Sequence, residues 1–323
     1  YLIGKNHWKS ASYASFIENR RNGRKQQFIM LFLILTISLG MYHATIARTI
    51  LQNAIDNQEY LDGADMMIKE VWNDNGSIAS ENPDVEFMYY EPDYGKYAAL
   101  DCAQSYTRVI YDDKAYISTG SRKRDTITLM GIHTKEFGEN TVFYEDLLGN
   151  AYYELLNELA VEENGILVSQ NFHDKLGYDV GDSLSFNNSR KDSATGTIVG
   201  FFEYFPGYEP VRMGLNPDGT AYSQDHYMIV AHYAALYQEW GVTPYEVWIT
   251  LKEGHDSSEI ADWIEKYDVK LSGYRDRSKD VDTAIRDPLL QGTNGVLTMG
   301  FLVTILLCAV GYLIYWIMSV RSR

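Results

Sequence analysis

Apolar residues are concentrated in two long blocks near the ends of the chain, with a mixed pattern of short strands and helices between them. Residues 28–47 form 20 consecutive positions without an acidic or permanently basic side chain, and residues 296–320 form 25 more. A helix of about 20 residues spans the roughly 30 Å of hydrocarbon in a bilayer. The first block exceeds the apolar stretch of a typical signal peptide, and no small-residue cleavage site follows it. The pattern therefore predicts two transmembrane helices.

Basic residues lie between each apolar block and the nearer end of the chain. Residues 1–27 contain six Lys or Arg residues and one acidic residue, Glu18, and Arg321 and Arg323 follow the second block. Short cytoplasmic segments carry an excess of Lys and Arg, so we expect both ends in the cytoplasm of a multi-pass plasma-membrane protein. The middle then faces outward with 20 basic and 43 acidic residues, a net charge of −23. This sign argues against a nucleic-acid partner.

The predicted organisation follows from these blocks and their flanks. It comprises a cytoplasmic basic, amphipathic segment at 1–27, a transmembrane helix at 28–47, a stalk helix at 48–60, an extracytoplasmic core domain at 61–280, a second stalk at 281–295, a transmembrane helix at 296–320 and the start of a cytoplasmic loop at 321–323. A core of this length, about 220 residues, can bury a sizeable hydrophobic interior.

The middle mixes strand and helix patterns, which predicts an α+β domain inserted between two transmembrane α-helices. Strands are predicted at 64–72, 85–90, 126–132, 195–204, 227–231, 245–251 and 269–273, a hairpin at 106–118 turning at Asp112 and Asp113, and helices at 151–160, 232–240 and 257–267. Residues 165–186 predict a strand, a short helix closed by Gly177, a turn at Gly181 and Asp182, and a second strand. Ser169 is predicted to cap the short helix.

Small side chains recur on one face of each predicted membrane helix. They are Thr36, Gly40, Ala44 and Ala47 in the first helix and Gly300, Thr304, Cys308 and Gly311 in the second. Small residues let helix backbones approach closely, so both faces are candidate helix-packing seams. Gly and Ala are also frequent in any membrane helix, which leaves an unpacked face as the alternative. His43 lies near the outer end of the first helix, where a solvated boundary residue is favoured over a proton relay.

The sequence contains no pattern typical of a catalytic or metal site. It has no GxxxxGK[ST] loop, no GxSxG elbow and no HExxH helix. Its two cysteines, Cys102 and Cys308, cannot form a four-cysteine zinc site or a disulfide framework. We therefore expect a non-catalytic chain that holds neither a metal nor a cofactor.

Two groups of aromatic residues are candidates for a ligand or partner surface. One lies around a Pro-Gly turn and includes Phe202, Tyr204 and Tyr208; the other consists of Tyr89, Tyr90, Tyr94 and Tyr97. The alternative is that these rings fill a core, because aromatic side chains dominate cores as well as interfaces.

The sequence GILVSQNFHDKLGYDVGDSLSF at 165–186, followed by GTIVGFFEYFPGY at 196–208, resembles the extracytoplasmic core domain of MacB/FtsX-type ABC transporter permeases. The YLDGAD sequence at 60–65 and the NGVLTMGFLV sequence at 294–303 extend the resemblance. The matching motif positions are Gly165, Ser169, Gly177, Gly181, Asp182, Gly200 and Pro206.

This resemblance implies a mechanical role in export or mechanotransmission. Such permeases pair with a cytoplasmic ABC ATPase dimer, which binds ATP and drives the outer domain through the membrane helices and stalks. The implied partners are that dimer, further permease spans or a second permease copy, and membrane lipid; the implied cargo is a lipid, lipoprotein, peptide or other amphiphile. Members usually have four spans, so the sequence is predicted to be a fragment. A membrane-anchored sensor with a ligand-binding domain between two spans is the alternative.

Overall fold

The computed structural model describes residues 10–82, 84–119, 123–141, 151–216 and 218–321. The chain divides into two compact units. The helical unit comprises residues up to 55 and from 283 onward, and the core unit comprises residues 56–282. Residues 1–9 and 322–323, which belong to the predicted cytoplasmic segments 1–27 and 321–323, lie outside the described residues, as do the side chains of 10–26.

Helices and strands alternate along the chain in the following order. They are α1 (Ser10–Asp62), β1 (Met66–Glu70), β2 (Asn73–Asp74), α2 (Gly76–Glu81), β3 (Tyr89–Tyr90), a 3₁₀ helix (Tyr94–Ala99), β4 (Ala103–Thr119), β5 (Lys123–Ile132), α3 (Thr134–Asn140), α4 (Ala151–Val161), β6 (Gly165–Ser169), α5 (Asn171–Leu176), β7 (Ser183–Asn187), β8 (Ser193–Phe202), β9 (Val211–Leu215), β10 (Ala221–Asp225), β11 (Tyr227–His232), α6 (Tyr233–Trp240), β12 (Glu246–Leu251), α7 (Ser257–Lys266), β13 (Leu271–Asp276), α8 (Arg277–Ile285) and α9 (Pro288–Arg321).

Two helices of the described chain are long and apolar enough to cross a membrane. The qualifying stretches are Met30–Asp62 in α1 and Pro288–Met318 in α9. The predicted first span and first stalk are parts of the single helix α1. The predicted second stalk is instead divided between α8 and α9, because Asp287 accepts the backbone N–H groups of Leu289 and Leu290 and so starts a new helix.

A mixed nine-stranded sheet organises the core unit. Its strand order is β13-β1-β12-β4-β5-β11-β6-β8-β7, and β7 pairs again with β4 at Ile117 and Phe186. The six strands from β4 to β7 therefore close into a ring, from which β12, β1 and β13 extend as an open wing. Parallel pairs β5–β11 and β6–β8 lie among antiparallel ones. The α+β fold class predicted from the sequence is the one observed.

Strand alternation places buried side chains on both faces of this sheet. In β8 every second residue is buried, as expected for a pleated strand. One cluster includes Ile68, Ile117 and Trp263, and the other includes Met67, Phe137 and Trp248. Because Met67 and Ile68 are adjacent in β1, the wing separates the two clusters.

Several predicted elements differ from those observed. The hairpin predicted at 106–118 is wrong, because β4 is one strand whose pairing with β5 shifts register between Asp112 and Ala115. The Asp112 carboxylate accepts the N–H of Lys114 inside this bulge, so the two aspartates form a bulge and not a turn. The strand predicted at 85–90 is reduced to Tyr89–Tyr90. Helix α3 and the β9–β10 hairpin were not predicted from the sequence pattern.

Candidate functional site

The end of α1 is fixed to a tight turn within the core unit by three hydrogen bonds to Tyr60. The Tyr60 hydroxyl donates to the carbonyl oxygen of Tyr208 at 2.8 Å and accepts the N–H of Phe205 at 2.9 Å. The Tyr60 carbonyl oxygen accepts the N–H of Gly207 at 3.1 Å. Tyr60 is buried, and its burial raises the pKa of the phenol, so it remains a neutral donor and acceptor.

Gly63 follows the last residue of α1. Its backbone conformation and the space around it both require glycine. Its φ is +71°, in the left-handed region, and its N–H bonds the carbonyl oxygen of Glu59 as in a common helix C-cap. A β-carbon at Gly63 would lie 2.9 Å from the Trp248 ring and 3.1 Å from the Cβ of Pro206. The helix end therefore packs directly against the Pro206 turn, residues 205–208, and against β12, the wing strand that pairs with β4.

Asp65 joins the place where the chain enters the sheet to the place where it leaves. Its carboxylate forms an ion pair with Arg277, the first residue of α8, and accepts the N–H of Leu251 at 2.7 Å. The Asp65 carbonyl oxygen also accepts the Arg277 N–H at 3.0 Å. Both charged side chains are less than a quarter exposed. We call the region formed by residues 60–65, 205–208 and 275–277 the anchor site.

A second acidic group lies beside this ion pair. Asp62 is buried, and desolvation raises the pKa of its carboxyl group despite a hydrogen bond from Gln58 at 3.1 Å and the nearby charges of Arg275 and Arg277. The anchor site thus contains a tightly paired carboxylate at Asp65 and a poorly solvated one at Asp62.

A hydrogen-bond network continues from Tyr208, in the Pro206 turn, into the centre of the sheet. The Tyr208 hydroxyl and the Asn171 amide both donate to the carbonyl oxygen of His226, at 3.2 and 2.7 Å. The His226 ring lies between the Thr128 hydroxyl and the Glu209 carbonyl oxygen, at 2.7 and 2.8 Å. Burial lowers the pKa of His226 to about 4, with the nearby charge of Arg212 as a second cause. The ring is therefore neutral near pH 7.

Neutral His226 fits these two partners in one tautomer. A carbonyl oxygen only accepts, so Nδ1–H donates to Glu209, and Nε2 accepts from the Thr128 hydroxyl. This assignment leaves neither ring nitrogen without a partner.

Ser169 has a role in this network that differs from the predicted helix cap. It is the fully buried last residue of β6, accepts the Met228 N–H at 3.0 Å and donates to the Asn171 side chain at 2.6 Å. The N-cap of α5 is Gln170, so the cap prediction is wrong. Ser169 instead joins β6 to β11 at the edge of the anchor site.

The other motif positions shape turns and close contacts. Gly177 and Gly181 have φ values of +74° and +95°, and the Asp182 carboxylate accepts the Asp179 N–H at 2.8 Å, as the predicted turn requires. A β-carbon at Gly165 or Gly200 would lie 3.0 Å from Val199 or Leu155, respectively, so both glycines allow close packing.

Two of the three rings in the first aromatic group lie in the core. Phe202 and Tyr208 are buried, while Tyr204 is 39% exposed and contacts the edge of the Tyr60 ring. The surface prediction is therefore wrong at Phe202 and Tyr208, where the core alternative holds because the Pro206 turn folds both rings inward, and it stays a prediction at Tyr204.

The second aromatic group is mainly structural as well. Tyr97 is buried, and Tyr94 stacks on the Arg108 guanidinium at 3.9 Å. Arg108 also lies 3.4 Å from the Glu91 carboxylate. Tyr90 at 52% exposure remains on the surface.

In the helical unit, α1 and α9 contact each other through most of the predicted small residues. The Thr36 hydroxyl lies 3.5 Å from the Cys308 sulfur, and β-carbons at Gly40, Gly300 and Gly311 would approach Thr304, His43 and Phe32 at 3.6, 3.3 and 2.9 Å. As the residue number increases along α1, the number of the contacting residue in α9 decreases, so the two helices are antiparallel. Ala44 is exposed and Ala47 half-buried. At this level of the helix pair, His43 contacts α9 and Ala44 does not face it.

No metal centre is found in the part of the chain that the structure describes. None of its groups of His, Cys, Asp and Glu residues has three or more members placed to hold a metal ion. The non-catalytic role inferred from the sequence stays a prediction.

Comparison with solved structures finds extracytoplasmic domains of transporters. The periplasmic region of MacB from Actinobacillus actinomycetemcomitans matches 69% of this chain and 94% of its own length, with 9% identity and a TM-score of 0.35. The extracellular domain of the ABC-type transporter YknZ from Gram-positive bacteria matches 65% of this chain and 98% of its own length, with 11% identity and a TM-score of 0.33. No family model and no curated protein matches the chain.

Proposed function

We propose that this chain is a membrane subunit of an ABC-type transporter of the MacB/FtsX kind. In this proposal a partner ATPase dimer binds and hydrolyses ATP in the cytoplasm, and the chain passes the resulting movement to its outer domain. The observation that carries the proposal is the anchor site, where Tyr60 and Asp65 hold both the incoming helix α1 and the outgoing helix α8 to the sheet.

The strength of these contacts suits transmission of force. A neutral hydrogen bond contributes about 1 kcal/mol net and one to a charged group about 1.5–3 kcal/mol. The three bonds at Tyr60 together contribute about 3 kcal/mol, the upper end of the 1–3 kcal/mol typical of coupling between sites. The Asp65–Arg277 pair separately holds the start of α8. A displacement of the last turn of α1 would therefore move the Pro206 turn before it broke the contacts.

The partners in this proposal follow from the apolar helices. In each of the two long helices, only 6% of the most apolar stretch is buried among the described residues. Lipid, further spans of the permease or a second copy would cover the rest. We propose that the two ends face the cytoplasm, where the ATPase dimer binds, and that the cargo is a lipid, lipoprotein, peptide or other amphiphile.

Purification of the full chain from its native membrane tests the proposed partnership. We expect a chain with a GxxxxGK[ST] loop to co-purify in mild detergent and the complex to hydrolyse ATP. Co-purification of a kinase or methyl-accepting protein without an ATPase would overturn the proposal and favour the sensor.

The role of the anchor site is tested in the same complex. Trapping the ATPase with ATP and vanadate should change amide hydrogen exchange at residues 203–208. Tyr60→Phe removes the hydroxyl that contacts this turn, so we expect it to reduce the change by at least half. Tyr204→Phe, an exposed neighbour in the same turn, is the matched control and should preserve the change. Equal responses of the two variants would contradict the mechanical role.

A further inference from the structure

The wing of the sheet ends in a strand that pairs on one side only. In the described part of the chain, β13 is the terminal strand of the nine-stranded sheet and bonds β1 alone. A strand edge of this kind presents a row of unpaired backbone N–H and C=O groups. Gly273, in the middle of β13, has open space where a side chain would lie. A glycine in a strand often marks a site where another backbone approaches closely.

A groove runs along this edge because α7 covers only part of the wing. Ile260 and Trp263 of α7 are buried in the cluster that includes Ile68 and Val247, of β1 and β12. On β13 the cover is incomplete: Leu271 is only partly buried against this cluster, and Tyr274 is 52% exposed. The resulting cavity has a volume of about 480 Å³ and is lined in part by Met66, Ala261, Ile264, Leu271 and Tyr274.

The charge beside the groove favours a basic occupant. Asp256 lines the cavity, and Glu265 is exposed one helical turn after the lining residue Ala261, a spacing that places the two on the same face of α7. Lys279 also lines the cavity, but its ammonium group lies 3.2 Å from the Asp276 carboxylate. The predicted outer segment has a net charge of −23, which adds a long-range attraction for cations.

We propose that the β13 edge and this groove bind an extended basic peptide by strand addition. The backbone of the peptide pairs with the free side of β13, and alternate side chains enter the apolar groove because strand side chains alternate with a period of two. Basic side chains near the rim meet Asp256 and Glu265. The site does not depend on the proposed transport function, since the partner is recognised by the strand edge and the groove alone.

Binding is tested with the full chain in detergent and a fluorescent, terminally blocked peptide, Lys-Ser-Val-Ser-Val-Ser-Lys, whose Lys and Val side chains share one face of the strand. Main-chain pairing tolerates many sequences, so we expect saturable binding and slower amide exchange at residues 271–276. Ala261→Trp fills the groove and should weaken binding at least tenfold. Ala160→Trp is the matched control, an exposed alanine in α4, and should leave binding unchanged. Thermal unfolding of both variants checks that each one folds.

A second probe separates strand addition from simple charge attraction. The same peptide with alternate N-methylated amides keeps its charge and side chains but loses backbone N–H groups that would donate to β13. We therefore expect at least tenfold weaker binding. Absence of binding by the first peptide, equal binding by the methylated one, or protection outside 271–276 would overturn the proposal. So would concentration-dependent self-association that protects 271–276 without peptide, because a second copy would then occupy the edge.

Discussion

Gly63 meets two requirements of the anchor site: a left-handed backbone and the absence of a side chain. Its backbone is left-handed, and its missing side chain lets Trp248 and Pro206 contact the end of α1. Tyr60 and Asp65 flank it within six residues, so a short sequence holds both the incoming and the outgoing chain. The contacts around Gly63 therefore hold the last turn of α1 to the sheet.

Replacing Gly63 by Ala should destabilise the core unit by about 2–5 kcal/mol, from left-handed strain plus steric overlap with Trp248 and Pro206. Gly254→Ala is the matched control. Gly254 has a φ of +85° but no atom near its β-carbon position, so only the strain of about 1–2 kcal/mol applies. Urea unfolding of the full chain in detergent measures both. Equal losses would show that packing at Gly63 is unimportant.

His226 should make stability depend on pH. Its pKa in the folded chain is about 4, below the ordinary value of 6.5, so the unfolded chain binds the proton more tightly. The neutral ring therefore contributes full stability above pH 6.5, and this is lost as the pH falls from 6.5 towards 4. The whole effect is roughly 3 kcal/mol, since one pKa unit is about 1.4 kcal/mol.

The pH effect is measured as the difference between the urea midpoints at pH 7 and pH 5. His226→Gln removes the titrating group, so its midpoints should differ less than those of the wild-type chain. Comparison of the two proteins cancels the contributions of the other histidines and the carboxylates. An unchanged difference in the variant would show that His226 does not lower stability on acidification.

At the scale of the element, hydrophobic periodicity predicted most strands and helices of the core. It failed at β4, where Asp112 and Asp113 interrupt the alternation as a turn would, yet the register shift accommodates them within one strand. It also left open whether the aromatic residues around Pro206 lie on the surface or in the core, because a local pattern does not show that the end of α1 packs against them. Both cases depend on contacts between residues distant in sequence.

The two long helices provide a prediction at this scale. Thr36→Cys places a thiol beside the native Cys308, since the Thr36 hydroxyl lies 3.5 Å from that sulfur. We expect a disulfide under mild oxidation, detected as a mobility shift on non-reducing gels that reductant reverses. Ile37→Cys, one residue along α1 and 53% exposed, is the control and should not react within the chain. Crosslinking of both variants, or of neither, would contradict the antiparallel contact.

At the scale of the whole molecule, the sequence predicted two apolar helices flanking one α+β domain, and the structure contains both parts. The hydrophobic pattern could not predict which residues hold the end of α1 to the sheet. Tyr60 and Asp65 belong to the quoted YLDGAD sequence, but their partners, Tyr208 and Arg277, lie about 150 and 210 residues away along the chain. An aromatic residue followed by Asp-Gly at the end of a long helix was the available signal, and only the fold shows what it contacts.

The membrane orientation that the flanking charges predict is tested by thiol labelling. Cys102 is buried and Cys308 lies in an apolar helix, so the wild-type chain should react little with a membrane-impermeant maleimide. Ser189→Cys places a thiol on an exposed turn of the core unit and should be labelled in spheroplasts. Asn22→Cys, in the basic segment, should be labelled only after detergent permeabilisation, because Lys- and Arg-rich flanks stay in the cytoplasm. The reverse pattern would place the acidic domain inside the cell, where neither an outer domain moved by an ATPase nor an external peptide groove could operate.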